Sequence, residues 1–221
     1  MTVRANKPAF SIREKLKELQ KPIGLKGSEL MRAETVQDAR DLVSAGRKNL
    51  IINGAIQVAQ RGTSFTNLSQ DQYTLDRFFM GSATSNFTVS QESTTLPNGR
   101  SVNTIKFLCT SDATHWLDPY QGIENYKIIS NQTVTFSAWV KTNHPSVNFR
   151  QYSTKNFGDT FIPDGQWHYY TATATLGSLT SLTRGVNSPY FGITNLASSS
   201  WTSGQYLEFT EFQIELGKNA T

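Results

Sequence analysis

The sequence predicts a mainly β protein, a jelly-roll β-sandwich over residues 49–221 behind a short helical N-terminal anchoring arm at 1–48. Two observations predict it. The hydrophobic period changes from 3.6 to 2 at Asn49, and the chain beyond is a Ser/Thr/Asn-rich run of short alternating segments divided by turn residues. A third is the match between an opening segment, Asn49 to Gly62, and a closing run, Leu207 to Gly217, whose pairing would seal a sandwich edge.

The arm comes first. Ser11-Ile12-Arg13-Glu14 fits a capping box, and Ile12, Leu16 and Leu19 follow at i, i+4 and i+7 as one narrow stripe ended by Pro22 and Gly24. A second cap at Thr35 precedes the stripe Val36, Ala39 and Val43, which Gly46 closes. Helices this short are marginal alone in water, so both stripes are expected to dock on something. The arm holds eleven Lys and Arg against six Asp and Glu, a balance of +5 in a chain of net +4. The acids are interleaved at helical spacing and no aromatic or glycine motif joins the cations, so the pattern predicts solvated helices against a protein partner and no nucleic acid.

The sandwich follows. Val134, Phe136, Ala138 and Val140 alternate with Thr133, Thr135, Ser137 and Trp139, as in a strand with one face in a core. Shorter alternations surround Phe87 and Val89, Ile105, Phe107 and Cys109, Val147 and Phe149, and Phe191 and Ile193. Pro97-Asn98-Gly99, Pro163-Asp164-Gly165, Gly185-Val186-Asn187 and Ser203-Gly204 mark turns, giving eight or so strands. In the closing run Leu207 and Phe209 share one parity while Phe212, Ile214 and Leu216 share the other. One extra residue must therefore be absorbed near Thr210-Glu211, and a β-bulge is the simplest device. Asn53-Gly54 and Arg61-Gly62 each supply a glycine for positive φ or close backbone approach. Asp76 and Arg77 are placed to pair across a strand end, and Trp167 is expected beneath the sheet.

No window approaches the ~20 apolar residues of a membrane helix, and charges interrupt any secretory pattern near Met1, so a soluble chain made in a cytoplasm is expected. A single cysteine, Cys109, excludes an internal disulfide and reads as a small core residue. His115, His144 and His168 lack metal-ligand spacing, so no metal and no cofactor are expected. Asp112, Asp118, Asp159, Asp164, Glu208 and Glu211 could converge in space, but one small sandwich has little room for the cleft a glycosidase builds around its two carboxyls, so no enzyme is expected. The aromatics with chemistry to offer are Trp139, whose parity places it on an outer face, and Trp116, Tyr120 and Trp201, which sit in loop-like stretches. Each is a candidate for stacking on a sugar, for an interface, or for local packing.

Asn49-Leu50-Ile51-Ile52-Asn53-Gly54, Gln60-Arg61-Gly62-Thr63-Ser64, Tyr73-Thr74-Leu75-Asp76-Arg77-Phe78, Phe136-Ser137-Ala138-Trp139-Val140-Lys141 and Phe212 through Thr221 resemble, in this order, the signposts of a jelly-roll domain common in tailed-phage virion proteins, itself similar to carbohydrate-binding modules. Gly24 to Ala33 followed by Asp38 to Leu42 is similar to the linker before distal domains of phage tail fibres. Phe78 departs from the usual tryptophan. The resemblance implies a virion structural protein assembled in the host cytoplasm, in a tail-fibre (adhesin) or capsid-decoration (head-fibre) role. On this view Ile12, Leu16, Leu19, Val36, Ala39 and Val43 anchor it to other virion proteins, the chain is a homotrimer, and host attachment through a surface polysaccharide is a further role. The alternative is a glycan-binding module acting outside a virion, and the lower alternative a polysaccharide-degrading enzyme.

Overall fold

A computed structural model of the chain describes residues 49–81, 85–114, 117, 119–124, 126–151, 155–179, 189–195 and 200–218, with Arg32, Glu34 and Thr35. The chain divides into two compact units, Met1–Gly46 and Arg47–Thr221, and every strand described lies in the second. The helical arm and the stripe residues Ile12, Leu16, Leu19, Val36, Ala39 and Val43 lie outside the described residues.

Two antiparallel sheets face one another, consistent with a jelly roll. The strands are β1 (Ser64–Phe65), β2 (Phe79–Met80), β3 (Phe87–Thr95), β4 (Ser101–Cys109), β5 (Pro119–Gly122), β6 (Thr133–Thr142), β7 (Val147–Gln151), β8 (Lys155–Phe157), β9 (His168–Thr175), β10 (Tyr190–Asn195) and β11 (Tyr206–Leu216). One sheet runs β1-β3-β4-β11-β6-β9 and the other β2-β5-β10-β7-β8. Every alternating segment expected to be a strand is one. The additional strands are the two-residue β1 and β2, the three-residue β8, β5 within a stretch read as loop, and β9.

The period of 2 is what sorts the side chains. Val134, Phe136, Ala138 and Val140 are fully buried, as are Ile105, Phe107 and Cys109 on β4 and Phe191 and Ile193 on β10. The two sheets meet through phenylalanines: Phe136 of β6 lies over Phe157 of β8 with ring centres 4.6 Å apart, and over Phe149 of β7 at 5.8 Å. Phe78 is buried against Phe209, so phenylalanine fills this core position in an edge-on contact. Cys109 is buried, its thiol pushed up by that burial and donating to the Ser111 carbonyl at 3.0 Å, as a core residue would.

The closing strand carries the bulge that its parity switch requires. The β11–β6 register shifts between Thr210 and Gln213, and Glu211 takes φ 52 so that Phe209 and Phe212 both reach the core. The opening segment corrects an expectation, because Asn49 to Ala55 is turn-bound rather than a strand. It is clipped to β11 all the same. Leu50 N–H donates to the Ile214 carbonyl at 2.9 Å, Phe212 N–H donates to the Gly54 carbonyl at 3.1 Å, and Asn49 Oδ1 accepts from Ile51 and Ile214. Gly54 is needed for close approach, since a Cβ there would strike the Phe212 carbonyl oxygen, while Gly62 takes φ 126.

Candidate functional site

Strand pairing decides which residues share the outer face of the six-stranded sheet. Trp139 of β6 lies directly opposite Tyr169 of β9, with Thr210 of β11 on its other side. The two rings are 5.4 Å apart at 49°. Trp139 is half-buried and Tyr169 is 45% exposed, so the pair presents aromatic surface to solvent. Trp167 corrects an expectation. It is not beneath the sheet but half-buried, 6.0 Å from the Lys141 ammonium on this same face.

The neighbouring row is cationic and aromatic. Lys141, Glu208 and Lys106 are cross-strand neighbours on β6, β11 and β4, and Tyr206 holds Lys106 at 5.5 Å and Lys141 at 5.9 Å over its ring. Glu208 is buried and accepts from the Thr104 hydroxyl at 2.7 Å. Burial raises the Tyr206 phenol, and Glu208 and Asp164 add to the effect, so it remains a neutral donor. Away from the aromatics the face continues as hydroxyls. Ser137 faces Thr171, Thr135 and Thr173 hydrogen-bond at 3.1 Å, and Thr133 and Thr175 at 3.0 Å.

The outer face of the five-stranded sheet is built differently. Phe79, Tyr120 and Tyr190 form a separate aromatic cluster, with Phe79 and Tyr190 edge-on at 4.9 Å. Asn148 and Thr194 lie beside them in register, and Arg150 faces Gly192 and donates to the Asn195 carbonyl at 3.2 Å. Each of these side chains is buried, and a Cβ on Gly192 would strike the Pro119 carbonyl oxygen. Among the described residues the open aromatic beside this cluster is Tyr73, bridged to Phe79 with ring centres 5.6 Å apart and lying under the Arg61 guanidinium.

The other candidates resolve as follows. Tyr120 is sealed in that cluster rather than displayed by a loop. Trp201 is fully buried, bridged to Ala113, edge-on to Phe87 and stacked on His144 at 4.0 Å, so of its three readings local packing is the one it takes, and it offers no stacking surface. Trp116 and His115 lie outside the described residues. Asp76 and Arg77 do not pair: Asp76 accepts from the Gln60 amide at 2.6 Å, and Arg77 bonds Glu124 at 2.6 Å. The carboxylates have separate employment. Asp112 accepts from the Ser203 amide, Glu211 meets Arg100, and Asp164 lies 2.9 Å from His168 with its carboxyl held low by the Gln166 amide and then by His168. Asp118 lies outside the described residues, and Asp159 lines a side cleft of about 280 Å³ with Phe149, Phe161, Ile162 and Tyr170. Among the described residues no group of three or more His, Cys, Asp or Glu is placed to hold a metal ion.

Three of the four tryptophans were singled out from the sequence as candidates, and of these only Trp139 meets solvent among the described residues; its partners Tyr169, Trp167 and Tyr206 were not. The signal for Tyr169 was present, since Tyr169, Thr171, Thr173 and Thr175 alternate with Tyr170, Ala172 and Ala174.

No family model matches the chain, and no curated protein matches it. Solved structures similar to it include carbohydrate-binding modules. The xylan-binding CBM22-1 domain of Xyn10C from Paenibacillus barcinonensis is 14% identical, with TM-score 0.45 over 79% of this chain and 97% of that one. The CBM22-1-GH10 modules of xylanase 10B from Clostridium thermocellum, complexed with xylohexaose, are 12% identical, with TM-score 0.41 over 75% of this chain and 30% of that one. A carbohydrate-binding module of lichenase 5A from Cellvibrio mixtus, in complex with cellotriose, is 17% identical, with TM-score 0.33 over 71% and 97%. No residue's role is carried across from them.

Proposed function

We propose that the sandwich is a non-catalytic glycan-binding domain whose ligand lies on the outer face of the six-stranded sheet. The observation that carries this reading is Trp139 directly opposite Tyr169, two cross-strand rings that both meet solvent, whereas Phe79, Tyr120 and Tyr190 of the other sheet are sealed. The C–H face of a pyranose is apolar and stacks on such rings, while its rim of hydroxyls needs donors and acceptors, which Tyr206, Lys141 and the exposed Thr171 supply. The separate partners of Asp112, Asp164, Glu208 and Glu211 support binding without catalysis.

The test is a glycan array probed with wild type and with Trp139→Ala, followed by titration of the best ligand. Trp139→Ala and Tyr169→Ala should each weaken binding by roughly 1 kcal/mol or more with little change in melting temperature. A silent array for the wild-type chain sinks the reading.

A second layer is that the domain is carried on a phage particle, as a tail-fibre or head-fibre component attached through the arm. The ordered signposts support it, and two of them meet in space, where Asn49 and Gly54 clip onto Phe212 and Ile214 of β11.

A further inference from the structure

Among the described residues the two sheets have four edge strands, β1 and β9 in one and β2 and β8 in the other. Three of them are two or three residues long. Very short edges offer no template to another chain, and this is a common protection against edge-to-edge association. β9 is the exception, with eight residues reading His168-Tyr-Tyr-Thr-Ala-Thr-Ala-Thr175. It contains no lysine, arginine, acid, proline or glycine, and it pairs with β6 without a bulge from His168 to Thr175. Among the described residues no main-chain group of β9 bonds anything on the side away from β6. The segment Gly158–Ile162 packs against the inward-facing Tyr170 and Ala172, with Phe161 stacked on Tyr170 at 4.2 Å and Ile162 N–H donating to the Tyr170 hydroxyl at 2.8 Å, and among the described residues it makes no bond to the main chain of the strand.

We propose that β9 is a pairing edge through which two copies of this chain join, antiparallel, into one continuous sheet. Three features select a second copy as the occupant. The edge carries no lysine, arginine or carboxylate, so no row of like charges holds its own copy away. Thr171-Ala172-Thr173 reads the same in both directions, so a two-fold axis at Ala172 sets Thr171 of one copy opposite Thr173 of the other and Tyr169 opposite Thr175. That contact repeats chemistry β9 already uses on its other side, where Thr173 and Thr175 hydroxyls bond Thr135 and Thr133. The join also sets two Trp139–Tyr169 pairs on one surface, though it stands whether or not that face binds a glycan.

The full chain is followed by sedimentation velocity from about 1 to 100 µM, with hydrogen exchange read at both ends of the range. The expected result is a concentration-dependent dimer in which the amides of 168–175 exchange more slowly as it forms. Thr171→Lys with Thr173→Lys, both at exposed positions, sets lysines of the two copies face to face and should weaken the dimer about 100-fold or more. A wild-type chain that stays monomeric overturns the proposal. So does an oligomer whose β9 amides exchange at the same rate at both concentrations, including a trimer held through the arm. The exchange measurement needs no variant, so a folding defect in the lysine pair leaves the test intact.

Discussion

His144 is buried with both ring nitrogens engaged: Nδ1 accepts from the Ser146 amide at 3.2 Å, and Nε2 lies 3.1 Å from the Ser200 carbonyl. An amide can only donate and a carbonyl only accept, so the ring is neutral with its proton on Nε2. Burial lowers its pKa, the Ser200 carbonyl opposing, and protonating Nδ1 would also break the Ser146 bond. The unfolded chain takes up this proton near the ordinary value of about 6.5, while the folded chain resists until lower pH. The stability that His144 contributes is therefore complete above about pH 6.5 and is lost as pH falls toward the folded value. Urea unfolding at pH 7.5 and 5.5 should show a lower midpoint in acid, and His144→Gln should narrow that difference. An unchanged difference in the variant would remove His144 from the account. Burial also separates the tryptophans: Trp139 can meet a ligand, whereas Trp201 is held between Phe87 and His144, its indole N–H without an acceptor among the described residues.

The element that makes the largest demand on sequence is β11, which serves β4 on one side and β6 on the other across the bulge. Because side chains alternate faces, a single-residue slip would send Phe212 and Ile214 outward. Deleting Glu211 should therefore leave the sandwich unable to fold, read as loss of near-UV circular dichroism and of a cooperative melt. Glu211→Gly keeps the count and suits φ 52, so it should change stability by no more than about 1 kcal/mol, the loss of the half-exposed Arg100 partner being small. A deletion variant that melts like wild type would show that the parity switch is not what the bulge absorbs.

At the scale of the molecule, the arm and the sandwich divide the work proposed for the chain, one attaching and the other facing outward. Leu16→Asp places a charge in the middle of the Ile12, Leu16 and Leu19 stripe and should abolish incorporation into the particle while the sandwich melts normally. Quantifying the chain in purified particles checks this, and a variant present at normal occupancy refutes the anchor.

Much of the sandwich was legible from residues alone. Period-2 segments such as Val134–Val140 and Ile105–Cys109 became strands with the expected face buried, and the break in parity at Thr210–Glu211 became a bulge, because alternation is a local consequence of strand geometry. Trp139 was placed on an outer face by the same rule. Tertiary structure decided what lies beside and above each residue. Tyr169 faces Trp139 only because β9 pairs with β6, and Trp167 joins that face only through Lys141. Tyr120 and Trp201, in polar stretches that read as loops, are buried by strands distant in sequence, since Tyr120 packs with Phe79 and Tyr190 and Trp201 bridges to Ala113. Periodicity reports which side of its own strand a residue occupies, and only the assembled sheets determine whether that side is open.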